Sequence, residues 1–139
     1  MKNSLSTLRN VSRIQQQQLQ QITKENNLTI SEWQLLLCIN EGYETQEHLS
    51  KQMSLDTSTL SRQLKRLTEK KMVDKEAIGK DKRQLIYQVN EQGSLSLVNI
   101  KDDYDKLKER IFEQWTDEEK NMLKILLNRL ETSMNKINK

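Results

Sequence analysis

A segment near the middle of the chain, residues 56–93, most strongly restricts the possible folds. Leu60, Leu64 and Leu67 recur at i, i+4 and i+7, the spacing that gathers side chains on one face of a helix. Two short runs of strand-forming residues follow, and a loop, 79–84, separates them. The chain has no proline and three glycines, which favours helices joined by few sharp turns. The segment therefore predicts a short amphipathic helix and a β-hairpin within a mainly α-helical protein.

The polar side chains of this helix point away from its leucine face. They are hydroxyl and basic groups: Ser58, Thr59, Ser61, Arg62, Lys65 and Arg66. In a helix-turn-helix the N-terminal half of the second helix meets base edges, so Arg62 has the reach and the forked guanidinium for guanine O6 and N7. Lys65 and Arg66 lie further along and suit the DNA backbone, whereas the three hydroxyls suit either bases or phosphates.

A shorter helix is predicted just before it, from Thr45 through Gln52. The three residues 53–55 then form the connecting turn, which is the spacing of a helix-turn-helix. Thr45 is the predicted N-cap of this helix. The backbone N–H groups of Thr45 and Gln46 are therefore placed to meet a phosphate.

The loop between the predicted strands, 73–78 and 85–90, is charged. It contains Lys80, Asp81, Lys82 and Arg83. A narrow minor groove attracts an inserted arginine, and Asp81 is placed to hold the Arg83 guanidinium in one orientation. A turn-forming Asp81 beside a solvated Arg83 is the alternative. With the two helices, this loop predicts a winged helix-turn-helix, a DNA-binding core over residues 30–92.

Positive charge is concentrated on the same part of the chain. Residues 51–83 hold ten Lys/Arg and five Asp/Glu, whereas the remaining residues hold thirteen and fifteen, within a net charge of +3. This distribution indicates a surface that meets phosphate, with an ordinary solvated surface as the alternative.

Long amphipathic helices are predicted on both sides of the core, over 4–28 and 94–137, with Gly93 at the step from hairpin to helix. Their apolar stripes include Leu5, Leu8, Leu123, Leu126, Leu127, Leu130 and Met134. Only 34% of the residues are hydrophobic, and one subunit has little core with which to cover these stripes. We expect a single domain, 1–139, whose flanking helices act in dimerisation.

Two further helix starts are marked by capping residues. Ser31 is the predicted N-cap of the second helix, with Glu32 in its first turn. Thr116, followed three positions later by Glu119, forms a predicted capping box for the last helix.

Several classes of protein are disfavoured. One cysteine and one histidine, on different predicted helices, give no disulfide framework, metal cluster or nucleophile–base pair, so we expect no enzyme activity and no cofactor. Cys38 lies among leucines and Ile39, which predicts a buried thiol that is not a redox switch. No apolar run approaches the ~20 residues of a membrane span, and the N-terminus lacks a signal-peptide pattern. We therefore expect a cytoplasmic protein without membrane association.

Four aromatic residues leave two interpretations open. Trp33, Tyr43, Tyr104 and Trp115 either line a ligand pocket between the DNA-binding and dimerisation parts or are plain core.

The order and spacing of these motifs resemble the MarR family of bacterial transcription regulators, over most of the chain. The helix-turn-helix, 45–71, is similar to the family's. Residues 81–83 match its D-x-R wing motif, and residues 89–93 resemble the L-T-x-x-G that opens its long helix. Residues 117–119, followed by leucines, resemble the start of its last dimerisation helix.

The resemblance implies an obligate homodimer with interlocking terminal helices and two winged helices on a palindromic operator. It also implies regulation by a small aromatic or phenolic ligand, or by oxidation of a cysteine in the first helix, where this chain has none. Two positions depart from the family pattern. Lys71 stands at a usual glycine and must adopt a left-handed conformation or end its helix differently. Asn90 replaces the usual threonine, and asparagine also caps helices.

These observations predict a dimeric, sequence-specific DNA-binding regulator that acts as a repressor on an inverted-repeat operator in double-stranded DNA, relieved by a small ligand. The alternative is a helical dimer that serves as a protein-interaction module and modulates other regulators without specific DNA binding. The basic helix face and the intact wing argue against that alternative.

Overall fold

Six helices and one antiparallel hairpin make up residues 1–137, the part of the chain that the computed structural model describes. In chain order they are α1 Ser4–Glu25, α2 Ile30–Asn40, α3 Gln46–Met53, α4 Thr57–Glu69, β1 Val73–Ile78, β2 Gln84–Val89, α5 Glu91–Ile111 and α6 Asp117–Ile137. The predicted class, mainly α with a β-hairpin wing, is confirmed. No helix within the described 1–137 combines the length and apolar content that crossing a membrane requires.

The core of the first part of the chain is formed where α2, α3 and α4 pack on one another. The three leucines at i, i+4 and i+7 of α4 are at most 1% exposed. Leu35, Leu36 and Ile39 of α2 and Leu49 of α3 are also buried, and α4 packs on both helices. Burying a leucine side chain stabilises a fold by about 1.5–3 kcal/mol. The spacing of the leucines therefore dictates which face of α4 turns inward.

The hairpin is attached to the start of α3. Val73 pairs with Val89 and Ile78 with Gln84, which sets the register. Tyr87, buried in β2, donates its backbone N–H to the carbonyl of Glu44 at 2.8 Å. The hairpin and the helix-turn-helix therefore share backbone hydrogen bonds just before α3.

The N-cap of α2 differs from the predicted Ser31. Thr29 has extended backbone angles, and its hydroxyl accepts the Glu32 N–H at 3.1 Å. The Glu32 carboxylate accepts the Thr29 N–H at 2.9 Å and completes a capping box. Ser31 lies inside the helix, because the reciprocal Thr29–Glu32 pair satisfies two backbone donors where a serine cap alone satisfies one.

Helix α5 begins at Glu91, before the predicted step at Gly93. Asn90 acts as the cap: its side-chain oxygen accepts the Gly93 N–H at 3.0 Å. A Cβ on Gly93 would lie 2.2 Å from the carbonyl oxygen of Met72 and 2.8 Å from a methyl of Val89. Gly93 is therefore needed for close approach of the backbones inside the helix, and not to break the chain before it.

Two compact units divide the chain, residues 1–104 and residues from 105 onward. The first contains the helix-turn-helix and the hairpin, and the second contains the end of α5 and all of α6. Within described α6 no residue is buried, and Met122, Ile125 and Leu126 are each more than half exposed. The assignment of residues 4–28 and 94–137 to dimerisation stays a prediction.

A buried ion pair joins the end of α4 to the beginning of α2. The Lys70 ammonium lies 2.7 Å from the carboxylate of Glu32, which is only 2% exposed, and 2.8 Å from the carbonyl oxygen of Asn27. Burial raises the pKa of Glu32. The hydrogen bonds from Lys70 and Thr29 and the positive charges of Lys70 and Arg66 lower it by a larger amount, so the pKa lies below its ordinary value of 4.5.

Lys70→Met keeps the aliphatic stem and leaves the Glu32 carboxylate buried without its cation. We expect the free energy of unfolding at pH 7 to fall by about 2–3 kcal/mol, measured by urea denaturation. Lys75→Met, on exposed β1, is the matched control and is expected to change little.

The pH dependence gives an independent check. Because the folded pKa of Glu32 is depressed, its contribution is complete above pH ~4.5 and is lost as pH falls through the folded pKa. The stability difference between wild type and Lys70→Met should therefore shrink in that acidic range. A variant as stable as Lys75→Met at pH 7 would contradict the role of this pair.

Candidate nucleic-acid interface

Each of the two helices of the helix-turn-helix begins at a residue whose side chain caps its N-terminus. Thr45, the predicted N-cap, accepts the His48 N–H at 3.2 Å. Asp56 caps α4 and accepts the Thr59 N–H at 2.7 Å. Between them Ser54 takes left-handed backbone angles, with φ of 54°, so Met53 belongs to α3 and the turn starts one residue later than predicted. The backbone N–H of Thr59 and the hydroxyls of Thr59 and Ser58 hold the pKa of Asp56 below its ordinary value, so this cap is charged at neutral pH.

The outward face of α4 carries the polar groups expected from the sequence. Of the predicted DNA-contacting residues on α4, Ser58, Ser61, Arg62, Lys65 and Arg66 are exposed and Thr59 is half-buried. Several of these groups are held by hydrogen bonds. Ser58 donates to Asp56 at 2.9 Å, and Arg62 donates to the Thr59 hydroxyl at 3.5 Å. Two groups on the exposed face therefore have hydrogen-bond partners within the protein.

One contact across the helix-turn-helix was not expected. The side-chain amide of Gln46, half-buried at the start of α3, donates to the Ser61 hydroxyl at 3.0 Å. The two residues lie fifteen positions apart on different helices, so no local pattern in the sequence points to their contact.

The tip of the wing is a tight turn with two residues at positive φ. Lys82 donates its N–H to the Gly79 carbonyl at 3.2 Å, and both residues have positive φ, 54° and 95°. Beyond the turn, the Arg83 guanidinium lies 3.3 Å from the Asp81 carboxylate, which also accepts the Arg83 backbone N–H at 3.4 Å. Lys80, Lys82 and the Asp81–Arg83 pair all stand in solvent. The structure thus contains the contact that the orienting role of Asp81 requires.

Lys71, which stands where the MarR family usually has glycine, adopts a left-handed backbone conformation. Its φ is 61°, its N–H bonds to the Thr68 carbonyl at 3.0 Å, and its own carbonyl accepts from the Asn90 side chain at 2.8 Å. These hydrogen bonds offset a conformation that costs a non-glycine residue about 1 kcal/mol or more.

The other candidate groups lie away from this face. Cys38 is buried, its pKa is raised by burial and further by the Glu41 carboxylate, and it borders a cavity of about 330 Å³. Its lack of a redox role stays a prediction. No group of three metal-ligating side chains occurs within residues 1–137.

The four aromatic residues are divided between the two units. Trp33, Tyr43 and Tyr104 are half-buried in the first unit. Trp115 belongs to the second, where it packs edge-on against Phe112 at 5.0 Å. A ligand site lined by these residues stays a prediction.

Comparison with known proteins identifies the class. Residues 17–100 match the family model of the transcriptional regulator SarA/Rot. The match spans more than half of the chain, and the protein therefore belongs to the SarA/Rot family of transcriptional regulators. No curated protein matches the sequence.

Solved structures share the fold at low sequence identity. MepR, a transcription regulator of the Staphylococcus aureus multidrug efflux pump MepA, gives a TM-score of 0.81 at 18% identity, covering 96% of this chain and 99% of MepR. The reduced form of MarR from E. coli gives 0.75 at 20% identity, covering 94% and 97%. The S. aureus MepR–DNA complex gives 0.69 at 18% identity, covering 95% and 96%. The winged helix-turn-helix of MarR type predicted from the motifs is thereby confirmed.

Removing either member of the wing pair tests whether Asp81 orients Arg83. Arg83→Ala is expected to weaken binding to duplex DNA and to lower the salt dependence by about one unit, as for one lost phosphate contact. Asp81→Ala should cause a smaller loss, because the guanidinium becomes disordered. Both are measured by fluorescence anisotropy over a salt series.

Glu76→Ala, which removes an exposed carboxylate from β1 without touching the arginine, is the matched control. If Asp81→Ala tightens binding as this control does, then Asp81 only repels phosphate and the orienting role is wrong.

Proposed function

We propose that this protein is a homodimeric, sequence-specific DNA-binding regulator that represses transcription from an inverted-repeat operator. One observation carries the proposal: α4 packs against β1 and exposes a polar face, and the tip of the same hairpin carries an arginine paired with Asp81. A fold of the same type occurs in the S. aureus MepR–DNA complex, which supports a DNA partner here.

The contacts divide into base reading and backbone positioning. Helix α4 presents its N-terminal half to the major groove, where Arg62 reads guanine and the nearby hydroxyls read base edges. Lys65 and Arg66 bind phosphate further along the groove. The backbone N–H groups of Thr45 and Gln46, at the start of α3, bind a phosphate of the DNA backbone. The wing, with Lys80, Lys82 and Arg83, reaches the adjacent minor groove.

The exposed apolar surface of α6 supports the homodimer. Its Leu126 and Leu127 are 53% and 44% exposed, Met134 is 48% exposed, and Leu5 of α1 is 57% exposed. A monomer with such stripes would associate nonspecifically, and a twofold partner covers the same patch on both copies. Two copies of α4 entering successive major grooves lie ~34 Å apart, so half-sites are centred ~10 bp apart.

Repression follows from occupancy. A dimer seated on an operator within a promoter excludes polymerase from the same duplex. A small ligand that favours a different spacing of the two α4 helices would lower operator affinity.

Arg62→Ala tests base reading. We expect it to weaken binding to an operator selected from randomised duplexes by ~1–3 kcal/mol, and binding to random DNA much less, in anisotropy titrations at fixed salt. Arg13→Ala on α1 removes an equal charge outside the proposed DNA contacts. Once size-exclusion chromatography verifies that it remains dimeric, it should leave the ratio of specific to random binding unchanged. Equal losses on both DNAs for Arg62→Ala would reassign Arg62 to phosphate. A wild type that prefers no sequence would favour the protein-interaction alternative.

Leu127→Asp tests the dimer. A carboxylate in the middle of the apolar stripe cannot be buried against a partner at small cost, so the variant should elute as a monomer and lose operator binding together. Asn128→Asp puts the same group on the polar face, one position along, and should remain dimeric. A folded Leu127→Asp monomer that still protects both half-sites in footprinting would contradict the dimeric mechanism.

A further inference from the structure

The hydrogen bond between Gln46 and Ser61 joins the start of α3 to the half of α4 that faces the groove. The amide nitrogen of Gln46 is the donor and the Ser61 oxygen is the acceptor, at 3.0 Å. Ser61 itself is exposed on α4, next to Arg62. The contact therefore acts on a hydroxyl that the proposed function directs towards base edges.

A serine hydroxyl has one proton to donate and two lone pairs with which to accept. When the Gln46 N–H occupies a lone pair, the Ser61 proton points away from the amide, since two donors repel each other. The hydroxyl then offers its proton to the groove. Its hydrogen-bonding polarity is set by the protein and not by the DNA.

We propose that Ser61 is a specificity-determining residue and that Gln46 is the positioning residue that makes it a donor. Ser61 then recognises a base pair that presents an acceptor at its position, namely a purine N7, guanine O6 or thymine O4. It disfavours the amino groups of cytosine and adenine, which bring a second donor to the same place. This inference rests on the proposed function, because it requires α4 to lie in the major groove.

The surroundings of Gln46 favour a fixed contact. Thr45 caps α3 and forms a β-bridge with Ile86, and Glu44 accepts the backbone N–H of Tyr87 at 2.8 Å. The backbone on the N-terminal side of Gln46 is thus attached to the hairpin. A side chain that starts from a fixed backbone loses less freedom when it holds Ser61 in place.

Ser58 provides a contrast on the same helix. It donates its proton to Asp56 at 2.9 Å, so its lone pairs are left for the groove. Ser58 and Ser61 therefore present opposite polarities, three positions apart. A base-edge atom that suits one hydroxyl does not suit the other, so the two positions discriminate between sequences although both residues are serines.

The test compares base preferences selected from a randomised duplex library by full-length wild type and five variants. Ser61→Ala removes the donor, Gln46→Met removes the positioning amide at similar size, and the double variant removes both. Ser61→Thr keeps a hydroxyl and is the conservative control. Gln46→Glu replaces the donor by an acceptor, so the Ser61 proton turns inward and its lone pairs turn to the DNA. Thermal unfolding verifies that each variant folds.

We expect wild type to prefer an acceptor-bearing base at one position per half-site by about 3- to 10-fold, the range of one hydrogen bond. Ser61→Ala and Gln46→Met should each lose that preference, and the double variant should lose no more than either alone. Ser61→Thr should retain it. Gln46→Glu should shift the preference towards a base with an exposed amino group.

The outcomes separate this inference from the proposed function. A wild type that enriches no sequence would overturn both. A selected operator whose base preferences survive Ser61→Ala would overturn the inference alone. Loss with Ser61→Ala but not with Gln46→Met or Gln46→Glu would remove the positioning role of Gln46.

Discussion

Burial of the leucine face of α4 is the constraint on which the rest of the binding surface depends. Leu60, Leu64 and Leu67 are almost completely buried, and α4 packs on α2, α3 and β1. A helix is rigid, and protein interiors are close-packed, so fixing one face also fixes the direction of the other. Ser61 and Arg62 therefore project outward because the leucines on the opposite face of α4 are buried. The energy comes from apolar burial, and the recognition surface is its geometric consequence.

The end of α4 carries a second set of constraints, which join the helix to three other elements. Lys70 reaches Glu32 in α2 and the carbonyl of Asn27 after α1. Asn90 caps α5 and also donates to the carbonyl of Lys71, where α4 gives way to β1. One side chain thus connects the left-handed turn at Lys71 to the start of the long helix. These polar contacts determine the path of the chain at the C-terminal end of α4, whereas the buried leucines determine which face of α4 packs on the core.

Periodicity and capping chemistry were sufficient to predict most of the fold. The helix-turn-helix, the hairpin and the caps at Thr45 and Thr116 all follow from neighbours within a few residues. The left-handed Lys71 is one of two alternatives that the family resemblance left open. The sequence was a poorer guide where two candidates competed, as at Ser31 and Thr29, because the reciprocal bond from Glu32 decides between them. It could not predict the contacts of Gln46 with Ser61 or Lys70 with Glu32, since these join residues 15 and 38 positions apart. Such contacts depend on how the helices pack, which cannot be predicted from the identity of the side chains alone.

Two of the five carboxylates in the basic segment, residues 51–83, make contacts that explain why they are tolerated there. Asp56 holds the α4 backbone and Ser58, and Asp81 holds Arg83. Within a Debye length of ~8–10 Å each carboxylate repels phosphate and weakens attraction to any DNA. Asp56 also restricts Ser58, and Asp81 restricts an arginine side chain that otherwise loses up to ~2 kcal/mol of side-chain freedom when it binds. Random DNA is attracted by net charge alone, whereas only a matching site uses ordered donors and acceptors. Replacing free positive charge with oriented groups therefore lowers nonspecific affinity more than specific affinity, which is the balance that the proposed recognition of an operator among many competing sites requires.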